Sequence, residues 1–440
     1  MRKKRKGERT LLANVFISLV VLLLLTIPVG VVLLMAALVP NLLNPQFAAN
    51  AAFLLRQVVG AVDSTPLLAV PMFVLSGIIM ARGGVSEKLF NVFSYFVGKK
   101  TGGLPCAVVI TCLFYGAISG SAPATTAAVG AMTIPILVGL GYDLTFCAAL
   151  LAIAGGLGII IPPSIPFIIY SMTSNESVGA MFMGGILPGI LIGACLMVYC
   201  WWYCKTHGED KEKINASVDA LRARGLWNVF KDSVWALMSP IIILGGIYSG
   251  IVTPTEAAVV SVVYALIICL FVYKSLKPGE IIGVLREAVS TYAPLLLILG
   301  TATAFGRVLT LLQAPQEIAT AMTSIFNNKI VLLLVINVFL LFVGMIIDTT
   351  PAILILTPIL LPVMQSYGMH PVHFGIMMVV NLAIGFVTPP VGINLYVASS
   401  MTKLPVMTIA KKATPFMAAF IVALLFITFI PGISLLLSGV

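Results

Sequence analysis

The sequence predicts an all-α membrane protein with several transmembrane helices, built from two related halves. Sixty per cent of its 440 residues are apolar and nine per cent are charged, whereas soluble domains carry about 25% charged residues. Prolines recur at a nearly constant separation of about half the chain, which is typical of transporters with internal repeats. The matched pairs, 226 to 228 positions apart, are Pro28 and Pro254, Pro66 and Pro294, Pro123 and Pro351, Pro135 and Pro362, Pro162-Pro163 and Pro389-Pro390, and Pro188 and Pro415.

The net charge of +10 raises nucleic-acid binding as an alternative, but the placement of the basic residues argues against it. They cluster at 2–6, 205–231 and 403–412, in hydrophilic segments that flank or connect apolar runs. This is the positive-inside pattern of a membrane protein. We therefore expect a lipid bilayer, and no nucleic acid, as a partner of this chain.

Nine apolar runs are long enough to cross a membrane, which takes about 17–25 residues. The first, 11–39, is longer than the apolar region of a signal peptide, about 7–15 residues, so it is predicted to be a retained span after a basic leader at 1–10. The nine predicted spans are 11–39, 66–82, 145–173, 179–203, 234–250, 254–273, 289–312, 372–401 and 413–438.

Two further apolar stretches, 104–140 and 329–365, are each interrupted by a polar tip that contains proline. The tips are SGSAPATT at 119–126 and DTTPA at 348–352. Each leaves two apolar runs of about 14 residues, which are too short to cross. Each stretch is therefore predicted to be a re-entrant hairpin that enters and leaves on one side of the membrane.

The charges orient this arrangement. With the N-terminus in the cytoplasm, the count places every basic cluster on the cytoplasmic side, and the C-terminus lies outside. The span 234–250 has no proline-matched counterpart and turns the second repeat upside down. The predicted segments are a leader at 1–10, a first repeat at 11–203, a cytoplasmic loop and linking span at 204–250, and an inverted second repeat at 251–440.

Two predicted spans, 145–173 and 372–401, contain Pro-Pro pairs that interrupt the helix. Such a pair removes two N–H donors and leaves upstream carbonyls free, and free backbone at membrane depth persists only where it lines a cavity or binds something. Carbonyls with Ser and Thr hydroxyls suit a hard monovalent cation. Two hairpin tips that face two broken helices therefore predict two quasi-equivalent sites with a substrate space between them. Simple packing kinks are the alternative, but four breaks in two matched pairs favour a functional interpretation.

Asp348 is the most informative single residue, because a carboxylate at membrane depth costs roughly 2.5–3.5 kcal/mol on insertion scales. A bound cation would offset that cost; the alternative is that Asp348 caps the helix that begins near Thr350. Arg307 is a candidate to pair with an anionic substrate, or else it reaches to the membrane interface. Asn394, just beyond the second Pro-Pro pair, is a candidate amide ligand.

Other polar residues carry weaker signals. Glu256 is explained equally well by helix capping. His370 and His373 have no third ligand nearby, so no metal site is predicted for them. No phosphate-binding loop and no catalytic triad pattern occurs in the sequence, and the seven cysteines show no C-x-x-C spacing. We therefore do not expect an enzyme.

Several stretches resemble the large membrane subunit, of the DctM type, of tripartite ATP-independent periplasmic (TRAP) transporters. The resemblance covers nearly the whole chain after the basic leader. Its most specific stretches are GSAPATTAAVGAMTIPIL at 120–137, GLGIIIPPSIPFIIYS at 156–171, GGIYSGIVTPTEAA at 245–258, GMIIDTTPAILILTPILLP at 344–362 and VTPPVGINLYVAS at 387–399.

The resemblance implies sodium-coupled uptake of an organic anion, such as a C4-dicarboxylate or sialic acid, across the bacterial inner membrane by an elevator mechanism. It implies a soluble periplasmic substrate-binding protein as a partner, and a small membrane subunit of about four helices, expected here as a separate chain. An ion channel that uses the hairpin tips as a filter is the alternative.

The resemblance also implies two sodium sites, which map onto 119–125 with 156–164 and onto 344–350 with 387–394. At the first tip, Ala122 stands where many members of the family carry serine. The candidate sodium ligands are Ser119, Gly120, Ser121, Pro123, Gly158, Pro162, Gly344, Asp348, Thr349, Thr350, Thr388, Pro389 and Gly392. The candidate substrate contacts are Ser121, Thr125, Ser164, Arg307 and Asn394.

Overall fold

The computed structural model describes residues 2–326 and 328–439, with side chains from Thr10 onward; those of the basic leader before Thr10 lie outside the described part. Within these residues the chain is helical and forms no β-strand, as the sequence predicts. The helices of the first half are α1 Arg2–Leu24, α2 Val29–Leu43, α3 Ala51–Val62, α4 Ala69–Arg82, α5 Val85–Val97, α6 Gly103–Ser119, α7 Ala122–Gly139, α8 Leu144–Gly155, α9 Ile165–Ser174 and α10 Val178–His207. The remaining helices are α11 Lys211–Ala223, α12 Leu226–Tyr248, α13 Pro254–Ile267, α14 Ile281–Leu311, α15 Ala314–Ile325, α16 Lys329–Ile346, α17 Thr349–Ser366, α18 Pro371–Gly385, α19 Ile393–Thr402, α20 Val406–Phe429 and α21 Gly432–Leu435.

Among the described residues, nine helical segments are long and apolar enough to cross a membrane, the number that the sequence predicts. The nine segments are not the nine predicted spans. The predicted spans 11–39, 145–173 and 372–401 are each divided into shorter helices, whereas three hairpin arms reach the required length. The nine segments are Thr65–Arg82, Ala122–Gly139, Val178–His207, Leu226–Tyr248, Pro254–Val272, Pro278–Leu311, Lys329–Ile346, Thr349–Ser366 and Val406–Phe429.

The hairpin arms are longer than the predicted 14 residues or so. They comprise 17 residues in α6 and 18 residues in each of α7, α16 and α17. The helices extend into the polar tips because Pro123 and Pro351 lie in the first turn of α7 and α17. Backbone N–H groups in the first turn have no partner within the helix, so proline loses no hydrogen bond there. Arm length alone therefore does not prevent a crossing, and the prediction that the arms are too short to cross was wrong.

The prediction of a single first span at 11–39 was also wrong. α1 and α2 are separated by a short turn in which Thr26 has a φ of 59°, and Pro28 precedes the first turn of α2. The two helices pack against each other. Because 11–39 holds two helices, the count of spans no longer determines the side of the N-terminus.

The two halves contain the same elements in the same order, and they contact each other reciprocally. α4 packs against α13 as α2 packs against α14, and α9 packs against α17 as α19 packs against α7. Reciprocal contacts of this kind are those of a two-fold related pair. α12, which has no proline-matched counterpart, precedes and contacts α13 as α1 precedes and contacts α2.

Each hairpin is tied together at its base by a tyrosine that follows the returning arm. Tyr142 donates a hydrogen bond to the carboxylate of Glu209, and the same carboxylate accepts the N–H of Gly102 at 3.1 Å, just before α6. In the second half, Tyr367 donates to the carbonyl of Phe326, just before α16. The base of each hairpin is thus linked to the segment that leads into it.

The first half of each broken helix and the hairpin arms α6 and α17 form most of the core, whereas the arm α16 exposes one face with side chains such as Val338 and Phe342. In α18 every residue from Val372 to Gly385 is buried, and α8 is buried from Phe146 to Gly155. Large apolar side chains such as Trp227 on α12 and Val263 on α13 are exposed instead, as a surface in contact with lipid requires. The polar tips and breaks therefore lie inside a predominantly apolar molecule.

Candidate functional site

The first hairpin tip lies directly against the first helix break. Gly116 near the end of α6 approaches Gly158 so closely that a Cβ on Gly116 would lie 2.8 Å from the Cα of Gly158. Gly120 has a φ of +60°, and a Cβ there would lie 2.9 Å from the carbonyl oxygen of Pro163. The tip and the break approach this closely because glycines stand at the points of contact.

This close approach gathers oxygen atoms at the first tip. The hydroxyls of Ser119 and Thr125 lie 2.8 Å apart, and the Thr125 hydroxyl donates to the carbonyl of Ser121, also at 2.8 Å. Gly158 faces the same atoms, since a Cβ there would lie 2.4 Å from Thr125 Oγ1 and 2.6 Å from the Ser121 oxygen. Four of the predicted residues therefore come together here.

The first break itself is held by Ser164. Its hydroxyl donates to the carbonyl of Ile159 at 2.6 Å and accepts the N–H of Phe167 at 3.4 Å. Ser164 is fully buried and caps α9. Pro162 precedes it in the break, between the 3₁₀ turn Gly156–Ile159 and α9. Ser164 therefore positions the break, and its hydroxyl is engaged within it.

The second tip has a corresponding geometry with different chemistry. Asp348 begins α17, and its carboxylate accepts the N–H of Thr349 at 2.8 Å, so the capping role considered for it does occur. Gly344 contacts Gly385 at the second break: a Cβ on Gly385 would lie 2.1 Å from the Gly344 oxygen. Thr350, in the first turn of α17, is also buried. The second tip thus contributes a carboxylate, whereas the first tip contributes hydroxyl groups.

The second break closes around this tip. Thr388 donates its hydroxyl to the Ile384 carbonyl at 2.8 Å, and Pro389 follows it. Gly392, with a φ of +48°, begins α19. Asp348, Thr349, Gly344, Gly385 and Gly392 share a cavity of about 10 Å³, close to the least that holds one water-sized species.

Both tips line one larger cavity of about 620 Å³, which we call the tip cavity. The N-termini of α7 and α17 meet there, and Arg82 of α4 forms an ion pair with Glu287 of α14 on its wall. Helix N-termini carry partial positive charge and free N–H groups, which favour an anion. The predicted residues on its wall are Ser119, Gly120, Ser121, Pro123, Asp348, Thr349 and Thr350.

Neither Arg307 nor Asn394 lines the tip cavity, although Ile393, next to Asn394, does. Arg307 lines a separate cavity of about 770 Å³ together with Arg56, which we call the arginine cavity. Asn394 is fully buried, and its amide nitrogen donates to the Ala152 carbonyl at 2.9 Å. The Asn394 amide therefore joins the second half to α8 of the first.

Three residues with weaker sequence signals have structural roles. Glu256 and Thr253 form a reciprocal capping box at the start of α13. His370 accepts the N–H of Val372 through Nδ1 at 3.2 Å, and His373 Nε2 lies 3.2 Å from the Thr428 carbonyl oxygen. Among the side chains described, in residues 10–326 and 328–439, no three from His, Cys, Asp or Glu form a metal-binding group.

Sequence reasoning missed several residues that shape the site. Gly116 and Gly385 provide the close approaches, and a signal for them exists, because Gly116 and Gly344 are 228 positions apart and Gly158 and Gly385 are 227 apart. Arg56 was not predicted from the sequence to line a cavity. No local pattern marks its position beside Arg307, because that position depends on how α3 packs against α14.

Comparison with known proteins gives a consistent result. A family model described as the DctM component of tripartite ATP-independent periplasmic transporters matches residues 16–433. The isethionate TRAP transporter permease protein DctMQ of Oleidesulfovibrio alaskensis is 44% identical over 86% of this chain, and the match spans 59% of that relative. The chain therefore covers less than two thirds of the length of DctMQ.

Two further relatives match over most of their own length. The C4-dicarboxylate TRAP transporter large permease protein DctM of Pseudomonas aeruginosa is 40% identical, over 85% of this chain and 86% of the relative. The sialic acid TRAP transporter large permease protein SiaM of Vibrio cholerae is 37% identical, over 94% of this chain and 96% of the relative. These relatives are permease subunits and not enzymes.

A solved structure shares the fold. The YdaH transporter of Alcanivorax borkumensis superimposes with a TM-score of 0.61 over 92% of this chain and 96% of that chain, at 15% sequence identity. At this identity the likeness concerns the arrangement of helices alone.

Proposed function

The chain belongs to the DctM component family of tripartite ATP-independent periplasmic (TRAP) transporters, and on that premise we propose that it carries out sodium-coupled uptake of an organic anion. The observation that carries the proposal is the tip cavity, in which two helix N-termini and two groups of oxygen ligands meet. Its volume of about 620 Å³ lies within the range of small-molecule sites, about 300–1,000 Å³.

The substrate is an organic carboxylate or sulfonate. Relatives are named for isethionate, C4-dicarboxylates and sialic acid, all of which are anions at neutral pH. The N-termini of α7 and α17 supply N–H groups that suit such an anion. Ser121 and Thr350, one on each tip, line the same cavity and add hydroxyls.

The first sodium site is formed by the first tip and the first break. The hydroxyls of Ser119 and Thr125 and the carbonyl of Ser121 already lie within 2.8–3.3 Å of one another. The carbonyls around Gly158 complete an oxygen shell of the kind that a hard cation prefers. The site therefore needs no carboxylate.

The second sodium site is formed by the second tip and the second break. Asp348 provides one formal negative charge, and Thr349 and the backbone around Gly344 and Gly392 line the same small cavity. A cation there offsets the cost of a carboxylate within an apolar core. The capping bond to Thr349 uses one carboxylate oxygen and leaves the other available.

The two halves are inverted repeats, and transport follows an elevator mechanism. The hairpins and broken helices form one unit that would move against α2, α4, α13 and α14 as a frame. The reciprocal contacts between the halves support the repeat relationship. The inverted sense follows from the basic segments, which share the cytoplasmic side only if the second half is turned over.

The protein works in the bacterial inner membrane with two partners, a small membrane subunit and a periplasmic substrate-binding protein. The segments 82–100, 204–232 and 403–412 face the cytoplasm because they hold the basic clusters, and the C-terminus faces the periplasm. The side of the N-terminus is tested separately, by accessibility of a tag placed before Thr10.

Reconstitution of the chain with its small subunit and binding protein into liposomes tests the function. We expect saturable uptake of isethionate, succinate or sialic acid that requires an inward sodium gradient. Uptake that proceeds unchanged with potassium in place of sodium contradicts sodium coupling. Unitary conductance in planar bilayers would indicate a channel instead.

A further inference from the structure

The tip cavity and the arginine cavity lie end to end along the same three helices. On α14 the tip cavity extends to Leu295 and the arginine cavity begins at Leu299. On α17 the boundary between the two cavities lies between Thr350 and Leu354, and on α9 it lies between Pro166 and Ser171. About one helical turn on each of three helices therefore separates the two cavities, and on each helix the tip cavity lies on the N-terminal side.

The charged groups show which cavity faces which side. The tip cavity includes Arg82 and Glu287, at the ends of α4 and α14 next to the basic segments that we assign to the cytoplasm. The arginine cavity lies toward the other end of α14, beside the loop at Asn175 between α9 and α10. It therefore opens on the periplasmic side.

The arginine cavity is built to receive an anion. Arg56 of α3 and Arg307 of α14 both line it, and in the described part of the chain neither guanidinium has an ion-pair or hydrogen-bond partner. Gln57, Ser64 and Thr303 add polar groups to the same wall. Two free guanidinium groups in one cavity outnumber its single carboxylate, Glu176.

We propose that the arginine cavity is the loading site for the substrate, in which Arg56 and Arg307 bind its carboxylate or sulfonate before it reaches the hairpin tips. This inference rests on the proposed uptake of an organic anion. A guanidinium presents donors in a fork that matches a carboxylate or sulfonate. A volume of about 770 Å³ accommodates an anion of the size of succinate, isethionate or sialic acid.

Attachment to the membrane interface explains the two arginines less well. Long basic side chains do extend from apolar helices to the interface. Arg56 and Arg307, however, come from opposite halves of the sequence and share one cavity with residues of α9 and α17. Two basic side chains that only reached the lipid surface would have no reason to share a concave wall between the frame and the hairpin unit.

The test compares Arg56→Gln, Arg307→Gln and the double variant with Arg286→Gln in the full reconstituted complex. Arg286 is an exposed arginine on the same helix as Arg307 and lines neither cavity. Loss of one hydrogen bond to a charged group raises the half-saturating concentration of substrate-loaded binding protein about 10-fold. We expect this in each cavity variant, with little change in maximal rate, and no such change in Arg286→Gln.

Three outcomes overturn the loading site. One is a cavity variant that matches Arg286→Gln in both half-saturation and maximal rate. Another is that a cavity variant weakens the docking of substrate-free binding protein as much as that of substrate-loaded binding protein, because the arginines would then contact the partner and not the substrate. A third is lost maximal rate with unchanged half-saturation. If the unsubstituted complex transports no anion, the proposed function itself fails, so the two failures are distinguishable.

A charge-restoration experiment tests whether the site requires a positive charge and whether it is reached from the periplasm. In intact cells, Arg307→Cys is treated with membrane-impermeant thiosulfonate reagents that attach either a quaternary ammonium or a sulfonate. We expect the cationic group to restore uptake and the anionic group to lower it further, with the unsubstituted protein, which has seven cysteines of its own, as the reagent control. Equal effects of the two reagents, or no effect from the periplasmic side, contradict the proposal.

Discussion

Gly116 and Gly158 pack backbone to backbone where the first hairpin meets the first broken helix, and a Cβ on Gly116 would lie 2.8 Å from the Gly158 Cα. The second half repeats this contact with Gly344 and Gly385. Both contacts lie within one or two turns of a hairpin tip. The matched pairs of glycines therefore set the distance between each tip and its break.

Substitution at Gly158 tests this relationship. A Cβ there would lie 2.4 Å from Thr125 Oγ1, so Gly158→Ala must displace the tip. We expect a loss of about 1–3 kcal/mol of stability from overpacking and at least 10-fold weaker sodium-dependent uptake. Thermal unfolding and transport assays measure the two effects. Gly156→Ala is the matched control, because its Cβ meets nothing closer than 3.6 Å; equal behaviour of the two variants would refute the role assigned to the contact.

Asp348 combines a cap with a charge, and two substitutions separate these roles. Asparagine is a good N-cap but has no charge, so Asp348→Asn should fold normally and lose sodium-dependent uptake. Asp348→Ala should lose uptake as well, while the protein still inserts into the membrane. The measurement is uptake as a function of sodium concentration. Unchanged sodium dependence in Asp348→Asn would reduce this residue to a helix cap.

The paired hydroxyls of Ser119 and Thr125 are expected to be sodium ligands. Removing either one, as Ser119→Ala or Thr125→Val, should raise the sodium concentration for half-maximal uptake about 10-fold, since a ligand bond to a charged group contributes roughly 1.5–3 kcal/mol. Thr133→Val is the control, because Thr133 is also buried on α7 and its hydroxyl donates only to the Val129 carbonyl. A shift of the same size in Thr133→Val would show that the effect is general to α7.

Glu209 should make the stability of the protein depend on pH. Burial by itself raises the pKa of its carboxyl, but Lys211, Tyr142 and the Gly102 N–H outweigh burial, so the pKa lies below its usual value of 4.5. A lowered pKa means that its stabilisation is complete above about pH 4.5 and is lost as the pH falls through the lower folded value. The gap in melting temperature between the unsubstituted protein and Glu209→Gln should therefore be present at pH 7 and shrink in acid.

Glu212→Gln is the matched control for Glu209, since Glu212 is exposed in the same segment between α10 and α12. It should leave the melting temperature unchanged at both pH values. A gap for Glu209→Gln that stays constant from neutral to acid pH would mean that the charge of Glu209 does not stabilise the base of the hairpin.

Asn394 is expected to act on stability and not on substrate choice. Its amide bonds the Ala152 carbonyl across the two halves, so Asn394→Ala should cost about 1–3 kcal/mol by leaving a buried carbonyl without its partner. The ratio of uptake rates for succinate and isethionate should remain the same. A changed ratio with normal thermal stability would return Asn394 to the substrate site.

Much of the architecture could be predicted because it is encoded locally. The pairs Pro162-Pro163 and Pro389-Pro390 each remove two consecutive N–H donors from one helix, so both breaks were identifiable. The boundaries around Pro28 and at the hairpin arms were less predictable. Apolar runs look continuous in composition, whereas the turn at Thr26 depends on backbone geometry that composition does not reveal.

The sequence by itself determined the class of the protein, the order of its segments, and the residues of both tips and both breaks. Each of these follows from the composition of a short stretch or from a repeated spacing. Only the tertiary structure decided which of these residues share a cavity. Arg307 joins Arg56 from the other half of the chain, away from both tips, and Asn394 joins Ala152. Such pairings depend on how distant helices pack and which way their side chains point, and no local pattern encodes either.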